Sequence, residues 1–223
     1  MRLVPRGRRL ARLVLVLEGW RKGNVVAGDH LRAIAPSTRI RTIAGDVTDG
    51  AHREALAAAA RELGGLDLVI NNAGTLGPSP QPGLLDYPLD VLEAVYRVNV
   101  VAPIGILQSV HASLKPGATI INITSDAAVE AYEGWGGYGS SKAALEQISR
   151  VLAAENPTLN VYWVDPGDMR TDMHQAAFPG EDISDREPPE ASVPGIVALA
   201  TGDRASGRFR ARSVLAVESG GVS

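Results

Sequence analysis

From about residue 38 onward, the sequence alternates between short apolar runs and longer amphipathic stretches, and this alternation limits the fold more than any other feature. Short apolar runs bounded by turn residues are typical of strands buried on both faces, whereas the longer stretches have helical periodicity. Strands that alternate with helices predict βαβ units, and therefore a parallel sheet covered by helices on both faces. The sequence thus predicts an α/β, doubly wound parallel sheet, and 223 residues suffice for a single domain of this kind.

The predicted elements follow one another along the chain without internal repeats. Strands are predicted at 39–46, 66–70, 118–124, 159–164 and 214–217, and helices at 49–63, 89–113, 137–155 and 193–200. Asp49 is a predicted N-cap, because its carboxylate can accept a hydrogen bond from a free backbone N–H of the first turn. Pro103 and Gly105 should kink or loosen the helix at 89–113. The segment 165–190 is rich in Pro, Gly and Asp, and we expect a loop or substrate lid there.

Composition excludes several classes of site. The chain has no cysteine, so disulfides, thiolate zinc sites and a cysteine nucleophile are excluded. Its four histidines form no His-x-x-x-His pair, and we expect no metal site. A net charge of −3 gives no electrostatic footprint for nucleic acid, and no apolar run approaches the roughly 18–20 residues of a membrane span. We therefore expect no nucleic-acid or membrane partner, and a cytoplasmic location.

Polar residues directly follow the predicted strands. In a parallel sheet, ligands bind beyond the carboxyl ends of the strands, so the residues that follow each strand should converge on one site. These residues are Asp46 and Val47, Asn71 to Gly74, Thr124 and Ser125, and Asp165 to Gly167. The sequence therefore predicts a binding site at this edge of the sheet.

The pair Tyr138 and Lys142 carries the strongest chemical signal. Residues four apart lie on one face of a helix, so the phenol and the ammonium are expected to be neighbours. A free tyrosine ionises near pH 10, and a neighbouring cation favours the phenolate and lowers that pKa. Alone, a Y-x-x-x-K pattern is more often two residues on a solvated helix face, so its context decides.

That context is a set of motifs in a characteristic order. It consists of N-N-A-G at 71–74, a helical asparagine at Asn99, Ser125 thirteen residues before the tyrosine, Y-x-x-x-K at 138–142 and P-G-x-x-x-T at 166–171. As a set, these motifs resemble the short-chain dehydrogenase/reductase family, and the resemblance covers about residues 38–175. It implies a Rossmann-like fold and hydride transfer between a nicotinamide cofactor and a small carbonyl or alcohol substrate.

The resemblance also implies a role for each catalytic position. Tyr138 would be the general acid/base, and Ser125 would hydrogen-bond the substrate oxygen. Lys142 would lower the tyrosine pKa and bind the ribose hydroxyls of the cofactor. Asn99 would hold a water that links Lys142 to solvent as a proton relay.

The remaining motif positions are implied to bind the cofactor, NAD or NADP. They are Asp46 and Val47 at the adenine, Asn72, Ala73 and Gly74 beside the adenosine ribose, and Pro166, Gly167 and Thr171 at the nicotinamide end, together with Tyr138 and Lys142.

Structural alternatives stay open for three of these positions. Asn99 could be a buried asparagine that satisfies backbone groups, and Thr171 could be the cap of a lid helix. Thr124 competes with Ser125 for the substrate oxygen, although the spacing to the tyrosine favours Ser125.

The N-terminal part, 1–37, departs from the family pattern. The family begins with a strand followed by T-G-x-x-x-G-x-G, and the nearest match, Gly19–Gly23, lacks the final glycine. The run at 13–17 is either that first strand or part of a first helix at 8–20, with the next strand at 24–29. The helix interpretation fits the family spacing better and is favoured, so the N-terminal strand and glycine-rich loop are predicted to be truncated or degenerate.

The sequence therefore predicts an NAD(P)-dependent oxidoreductase with a Ser-Tyr-Lys-Asn proton-transfer site. The alternative, favoured by the missing glycine loop, is a cofactor-binding-deficient protein or fragment of this fold that acts as a binding or scaffold protein. A serine hydrolase using Ser125 is weakly supported, because no G-x-S-x-G motif is present. Pairing through the helices at 89–113 and 138–155 is usual for the family, and we expect a homodimer or homotetramer.

Overall fold

Strands and helices alternate along the chain. The buried strands predicted at 66–70, 118–124 and 159–164 are all present. The computed structural model describes residues 13–15 and 39–215. Its strands are β1 (Leu13–Leu15), β2 (Arg39–Arg41), β3 (Leu66–Asn71), β4 (Leu114–Ile123), β5 (Asn160–Asp165) and β6 (Gly207–Arg210). Its α-helices are α1 (Gly50–Glu62), α2 (Leu89–Tyr96), α3 (Ala102–Val110), α4 (Gly136–Glu155), α5 (Asp172–Ala177) and α6 (Val193–Thr201).

Parallel pairing joins four of the strands into one sheet in the order β3-β4-β5-β6. In this register Ile120 of β4 lies opposite Val69 of β3 and Val161 of β5. Strands β1 and β2 form a separate two-stranded parallel sheet. The prediction of a parallel α/β fold is therefore confirmed.

Apolar side chains cover both faces of the four-stranded sheet. Ile120 points to one face, where its cluster includes Ala57 of α1 and Leu107 of α3. The next residue along β4, Ile121, points to the opposite face and belongs to a cluster with Leu199 of α6. Because successive residues of a strand point to opposite faces, β4 supplies apolar groups to both layers of helices. This is the doubly wound arrangement that the apolar runs predict.

The favoured helix interpretation of residues 8–20 is wrong at Leu13–Leu15, which form strand β1. Leu13 lies opposite Arg39 and Leu15 lies opposite Arg41, in parallel register. A continuous apolar run fits a strand and a helix face equally well, and pairing with a distant segment overrides local helical periodicity. The rest of that segment and the strand predicted at 24–29 lie outside the described residues.

The last strand lies earlier than predicted. It is β6 at Gly207–Arg210, followed by a 3₁₀ turn at Ala211–Ser213, whereas the sequence favoured 214–217. Residues 216 and 217 lie outside the described part of the chain. Arg208 and Arg210 make this segment look like an exposed loop, but each lies near the buried carboxylate of Asp165, at 3.7 Å. Paired charges therefore let a polar segment join the sheet.

The long helix predicted at 89–113 is interrupted at the expected place. Helix α2 ends at Tyr96, a π-helical turn spans Arg97–Val101, and α3 begins at Ala102 with Pro103 in its first turn. Proline lacks an N–H and its ring crowds the carbonyl four residues earlier, so a wider turn before it relieves the conflict. No helix of the described residues is long and apolar enough to cross a membrane.

Two other sequence-based expectations concern helix ends. The carboxylate of Asp49 accepts a hydrogen bond from the N–H of Ala51, which confirms Asp49 as the N-cap of α1. The segment predicted to be an irregular lid, 165–190, contains the short helix α5, and Thr171 is its N-cap.

We predict that Gly195→Ala destabilises the fold. A Cβ at Gly195 of α6 would lie 1.8 Å from the carbonyl oxygen of Ala211, so α6 would have to move away from the turn after β6. Overpacking of this kind costs about 1–3 kcal/mol in the free energy of unfolding, measured by urea denaturation.

The matched control is Gly50→Ala at the start of α1, where the nearest atom to an added Cβ is 3.8 Å away. This variant should be neutral or more stable by about 0.5–1 kcal/mol, because alanine costs less backbone entropy in a helix. Equal stabilities for the two variants would contradict the close packing of α6 on the turn.

Candidate active site

A cavity of about 90 Å³ opens at the carboxyl ends of β4 and β5. Five of the predicted site residues contribute to its wall, namely Ser125, Tyr138, Pro166, Gly167 and Thr171. The rest of the wall is mixed, with apolar side chains such as Trp135, Met169 and Met173 beside the polar residues Thr124, Asp126, Asp168 and His174. The structure thus brings the hydroxyl-bearing residues of three separate motifs to one cavity.

Close packing of α4 brings Tyr138 to this cavity. A Cβ at Gly139 would lie 2.6 Å from the carbonyl oxygen of Ala127, and a Cβ at Gly137 would lie 2.3 Å from the ring of Tyr87. Glycines at these positions let the first turn of α4 rest directly on the turn that follows Ser125. The tyrosine that follows Gly137 is therefore buried beside the end of β4.

The backbone at Ser125 is extended and begins a 3₁₀ turn at Asp126–Ala128. The Ser125 hydroxyl accepts a hydrogen bond from the N–H of Ala127 at 3.2 Å and donates to Oδ1 of Asp126 at 3.0 Å. Both Ser125 and Tyr138 line the cavity. The Thr124 hydroxyl instead donates to the buried carboxylate of Glu146 at 3.0 Å. Of the two neighbouring hydroxyls, that of Thr124 is therefore committed to this carboxylate.

Burial favours the neutral forms of both Tyr138 and Lys142. Burial raises the pKa of Tyr138 to about 12, and the neighbouring Ser125 hydroxyl opposes this shift only in part. Burial lowers the pKa of Lys142 from 10.5 to about 8. The expectation that Lys142 lowers the pKa of Tyr138 stays a prediction.

The position of Lys142 is set by a backbone acceptor. Its Nζ donates to the carbonyl oxygen of Ile123 at 2.8 Å and lies 5.5 Å from the centroid of the Tyr138 ring. An ammonium has three N–H donors, and this bond uses one of them. The lysine therefore stays beside the tyrosine while retaining donors for a ligand.

Asn99 lies in the π-helical turn and is fully buried. Its Oδ1 accepts from the N–H of Thr75 at 2.8 Å, and its Nδ2 donates to the carbonyl of Thr75 at 2.9 Å and to Ser141 Oγ at 2.9 Å. These bonds join the loop after β3 to α4. Asn99 therefore binds backbone groups of Thr75, as expected of a buried structural asparagine. Its role as a proton relay stays a prediction.

The loop after β3 approaches these buried groups closely. A Cβ at Gly74 would lie 3.4 Å from Asn99 Oδ1 and 3.5 Å from Lys142 Nζ, which is ordinary van der Waals contact. Asn72 and Ala73 line a small cavity together with Val47. The loop at 72–74 therefore lies beside Asn99 and Lys142, and its contacts with a cofactor stay predictions.

The two residues predicted to contact the adenine, Asp46 and Val47, lie just before α1. The Val47 side chain is 2% exposed and packs in the core with Leu56, and its carbonyl accepts from Arg53 at 2.9 Å. Asp46 is exposed, and its Oδ1 accepts from the backbone N–H and the hydroxyl of Thr48, each at 2.8 Å. Both residues therefore have structural roles at the start of α1, and their contacts with a cofactor stay predictions.

The loop after β5 supplies the last part of the site. Gly167 has φ of +77°, a left-handed conformation that favours glycine, and its N–H donates to Asp165 Oδ1 at 2.8 Å. Thr171 accepts from the N–H of His174 at 3.2 Å and so caps α5, as the structural alternative proposed, while also lining the cavity.

Several cavity residues were missed in the sequence. Asp126 and Asp168 add carboxylates to the wall, and Trp135 packs edge-on against Tyr138 with ring centroids 5.8 Å apart. The acidic residue directly after Ser125 could have been noticed, since it follows a strand. Trp135 lies just before α4 and His174 lies in the short helix α5. At neither place does periodicity or a motif in the sequence indicate a role.

Within the described residues, no group of three or more His, Asp or Glu side chains could hold a metal ion. The residues present do fit part of a nicotinamide nucleotide. Lys142 retains N–H donors beyond the one that it gives to Ile123, and the hydroxyls of Ser125 and Tyr138 belong to residues of the cavity wall. The segment that would meet the pyrophosphate lies outside the described residues.

Comparisons with known proteins identify the family and the fold. Residues 11–182 match the profile of the short chain dehydrogenase family. Sepiapterin reductase from Mus musculus is 34% identical over 158 residues, which cover 67% of this chain and 60% of that protein. Benzil reductase ((S)-benzoin forming) from Bacillus subtilis (strain 168) is 37% identical over 112 residues, which cover 47% of this chain and 45% of that protein. The chain thus spans about three fifths or less of the length of these curated relatives.

Solved structures share the fold. A putative short chain dehydrogenase from Escherichia coli CFT073, complexed with NADPH, matches with a TM-score of 0.76 and 28% identity, over 84% of this chain and 80% of that chain. A putative short chain dehydrogenase from Shigella flexneri 2a str. 301, complexed with NADP, matches with a TM-score of 0.74 and 26% identity, over 84% and 81%.

We predict that Lys142→Met changes how stability depends on pH. The folded-state pKa of Lys142, about 8, lies below its unfolded value of 10.5, so the folded protein binds fewer protons than the unfolded chain between these values. Below pH 8 the cost of burying the ammonium lowers the free energy of unfolding by its full amount. Between pH 8 and 10.5 the folded protein has already lost this proton, so the free energy of unfolding of the wild type rises with pH.

Methionine removes this pH dependence. The free energy of unfolding of Lys142→Met, relative to the wild type, should fall by about 2 kcal/mol between pH 6.5 and 9.5. Urea denaturation of both proteins at the two pH values gives this difference. A relative stability that is the same at both values would contradict a buried lysine with a lowered pKa.

Proposed function

The chain belongs to the short-chain dehydrogenase family, and on that basis we propose that it is an NAD(P)-dependent oxidoreductase that reduces a small carbonyl substrate. One observation carries the proposal. Ser125 and Tyr138 line the same cavity, with Lys142 buried beside the tyrosine ring. This arrangement supports a site in which the two hydroxyls would meet a single substrate oxygen.

In the proposed mechanism, the protein holds and protonates the substrate oxygen. The Ser125 hydroxyl turns from Asp126 to hydrogen-bond the carbonyl oxygen, and Tyr138 donates its proton to that oxygen as negative charge develops there. Burial raises the pKa of Tyr138 to about 12, so the phenol carries its proton at neutral pH and has one to donate. Reduction of a carbonyl needs a proton donor at this position.

A nicotinamide cofactor would supply the hydride, and the protein would position it. Lys142 would bind the ribose hydroxyls, and the backbone at Asn72, Ala73 and Gly74 would lie along the adenosine ribose. Pro166, Gly167 and Thr171 would meet the nicotinamide end. Both NAD and NADP remain within the proposal, and the solved structures with NADPH and NADP favour testing the phosphorylated form first.

The substrate class is proposed from the cavity and from two relatives. Trp135, Met169 and Met173 give the cavity an apolar wall beside the two hydroxyls. The relatives are named for the reduction of sepiapterin and of benzil, in which a carbonyl is attached to an aromatic ring system. We propose that this chain reduces carbonyl groups attached to aromatic rings, because such a ring can pack on the apolar wall.

Self-association is part of the proposal. A groove of about 450 Å³ runs between α3 and α4, and its apolar lining includes Ile104, Leu107, Ile148 and Val151. Val151 is 45% exposed in the single chain. We expect α3 and α4 to pair between copies as a homodimer or homotetramer, with the mass given by light scattering on a sizing column. A monomer at micromolar concentration would contradict this expectation. The cytoplasmic location and the lack of a nucleic-acid or membrane partner stay predictions.

Cofactor titration and turnover test the proposed function. NADPH and NADH are titrated into the protein while nicotinamide fluorescence is followed, and the oxidation of NADPH is then measured with benzil and with sepiapterin. We predict saturable binding of at least one cofactor at micromolar to millimolar concentration, and turnover of at least one substrate. Binding of neither cofactor would favour the alternative, a scaffold protein that has lost its cofactor.

We predict that Tyr138→Phe abolishes turnover and leaves cofactor affinity within about 2-fold. The loss should be at least about 100-fold in kcat, because positioned acid catalysis contributes roughly 10²–10⁴-fold. Tyr96→Phe, which changes a tyrosine of α2 outside the cavity wall, is the matched control and should keep full activity. Undiminished turnover by Tyr138→Phe would refute the assigned acid.

A further inference from the structure

The arginine-rich segment at the end of the described chain has no role in the proposed mechanism. In β6 the guanidinium of Arg208 reaches back toward the active site, and its side chain is only 22% exposed. Its Nε donates to Oε1 of Glu146 at 2.9 Å, and its Nη2 donates to the carbonyl oxygen of Ser125 at 3.0 Å. Nη2 also lies 3.7 Å from Asp165 Oδ2. One side chain thus connects α4, the end of β5 and the residue proposed to bind the substrate oxygen.

The buried carboxylate of Glu146 fixes the position of the Arg208 guanidinium. Its carboxylate is 1% exposed in α4 and has donors on both oxygens. Thr124 Oγ1 and Arg208 Nε donate to Oε1, at 3.0 and 2.9 Å, and Arg150 Nη2 donates to Oε2 at 3.2 Å. A carboxylate this deeply buried is tolerated only when its oxygens are paired, so Glu146 holds its donors in defined positions.

Ser125 lies just beyond the last ladder bond of its strand. The N–H of Thr124 still donates to the carbonyl of Val164 at 2.8 Å, as in the sheet. The Ser125 carbonyl instead accepts from the N–H of Ala128 at 3.2 Å and from Arg208. The first of these bonds belongs to the same short turn, so among the hydrogen bonds of the described residues it is Arg208 that links the Ser125 carbonyl to a distant strand.

We propose that Arg208 is a positioning residue for catalysis, which holds Ser125 at the distance from Tyr138 that the substrate oxygen requires. The inference rests on the proposed function of that pair. Arg208 does not line the cavity, and it acts only through the serine backbone. The planar guanidinium donates to Glu146 through Nε and to Ser125 through Nη2, two nitrogens in a fixed arrangement that the single nitrogen of a lysine does not provide.

The expected effect follows from the precision that catalysis needs. A displacement of about 1 Å at a reacting group can reduce the rate by about 100-fold. Arg208→Lys keeps the positive charge beside Glu146 and loses the second contact, so the buried carboxylate stays paired and the variant is expected to fold. We predict that its kcat for benzil falls by about 10- to 100-fold, while its affinity for NADPH stays within about 2-fold.

The matched control is Arg210→Lys in the same strand. The Arg210 side chain is 62% exposed and lies 3.7 Å from the same carboxylate of Asp165, and its contacts do not include Ser125. Its kcat should stay within about 2-fold of the wild type. A loss shared equally by the two variants would overturn a specific role for Arg208.

Two further measurements separate positioning from simple stabilisation. Thermal unfolding gives the stability of each variant, and crystal structures of the wild type and Arg208→Lys give the distance between Ser125 Oγ and Tyr138 Oη. The proposal expects this distance to change by about 1 Å in Arg208→Lys. A variant that loses only stability, with kcat and the distance both unchanged, would overturn it.

The same measurements distinguish a failure of this inference from a failure of the proposed function. A wild-type protein that binds NADPH and reduces neither benzil nor sepiapterin would count against the proposed substrates alone. The crystal structures would still decide whether Arg208 positions Ser125. An unchanged serine in Arg208→Lys would overturn the inference whether or not the protein is active.

Discussion

Parallel pairing of β3, β4, β5 and β6 is the constraint on which the rest of the structure depends. Because these strands run in one direction, the residues that follow them meet at one edge of the sheet. Ser125 follows β4, Gly167 follows β5, and Gly74 follows β3 by way of its loop. Helix α4 then crosses this edge and adds Tyr138 and Lys142, so distant segments of sequence form one cavity.

Buried polar groups keep this edge in place. Asn99 joins the loop after β3 to α4, Lys142 donates to the end of β4, and Glu146 binds both Thr124 and Arg208. Each of these groups is nearly or fully buried, and burying it would be unfavourable without its partners. Burial at this edge also raises the pKa of Tyr138 to about 12.

The sequence revealed those features that depend on local pattern. Buried strands such as β4, the cap at Asp49 and the break before Pro103 all follow from short-range spacing and residue type. It did not reveal features that depend on distant partners. Strand β1 is defined by its pairing with β2, β6 by the buried carboxylates that accept its arginines, and the pKa of Tyr138 by desolvation. None of these can be read from neighbouring residues.

Deuterium transfer tests most directly whether this edge of the sheet is a site of hydride transfer. The protein is incubated with benzil and with NADPH carrying deuterium on the transferable position of C4, and the product is analysed by mass spectrometry and NMR. The proposed function predicts benzoin with one deuterium on the carbinol carbon, formed by the wild type and not by Tyr138→Phe. Benzoin without deuterium at that carbon, or equal labelling by the two proteins, would contradict it.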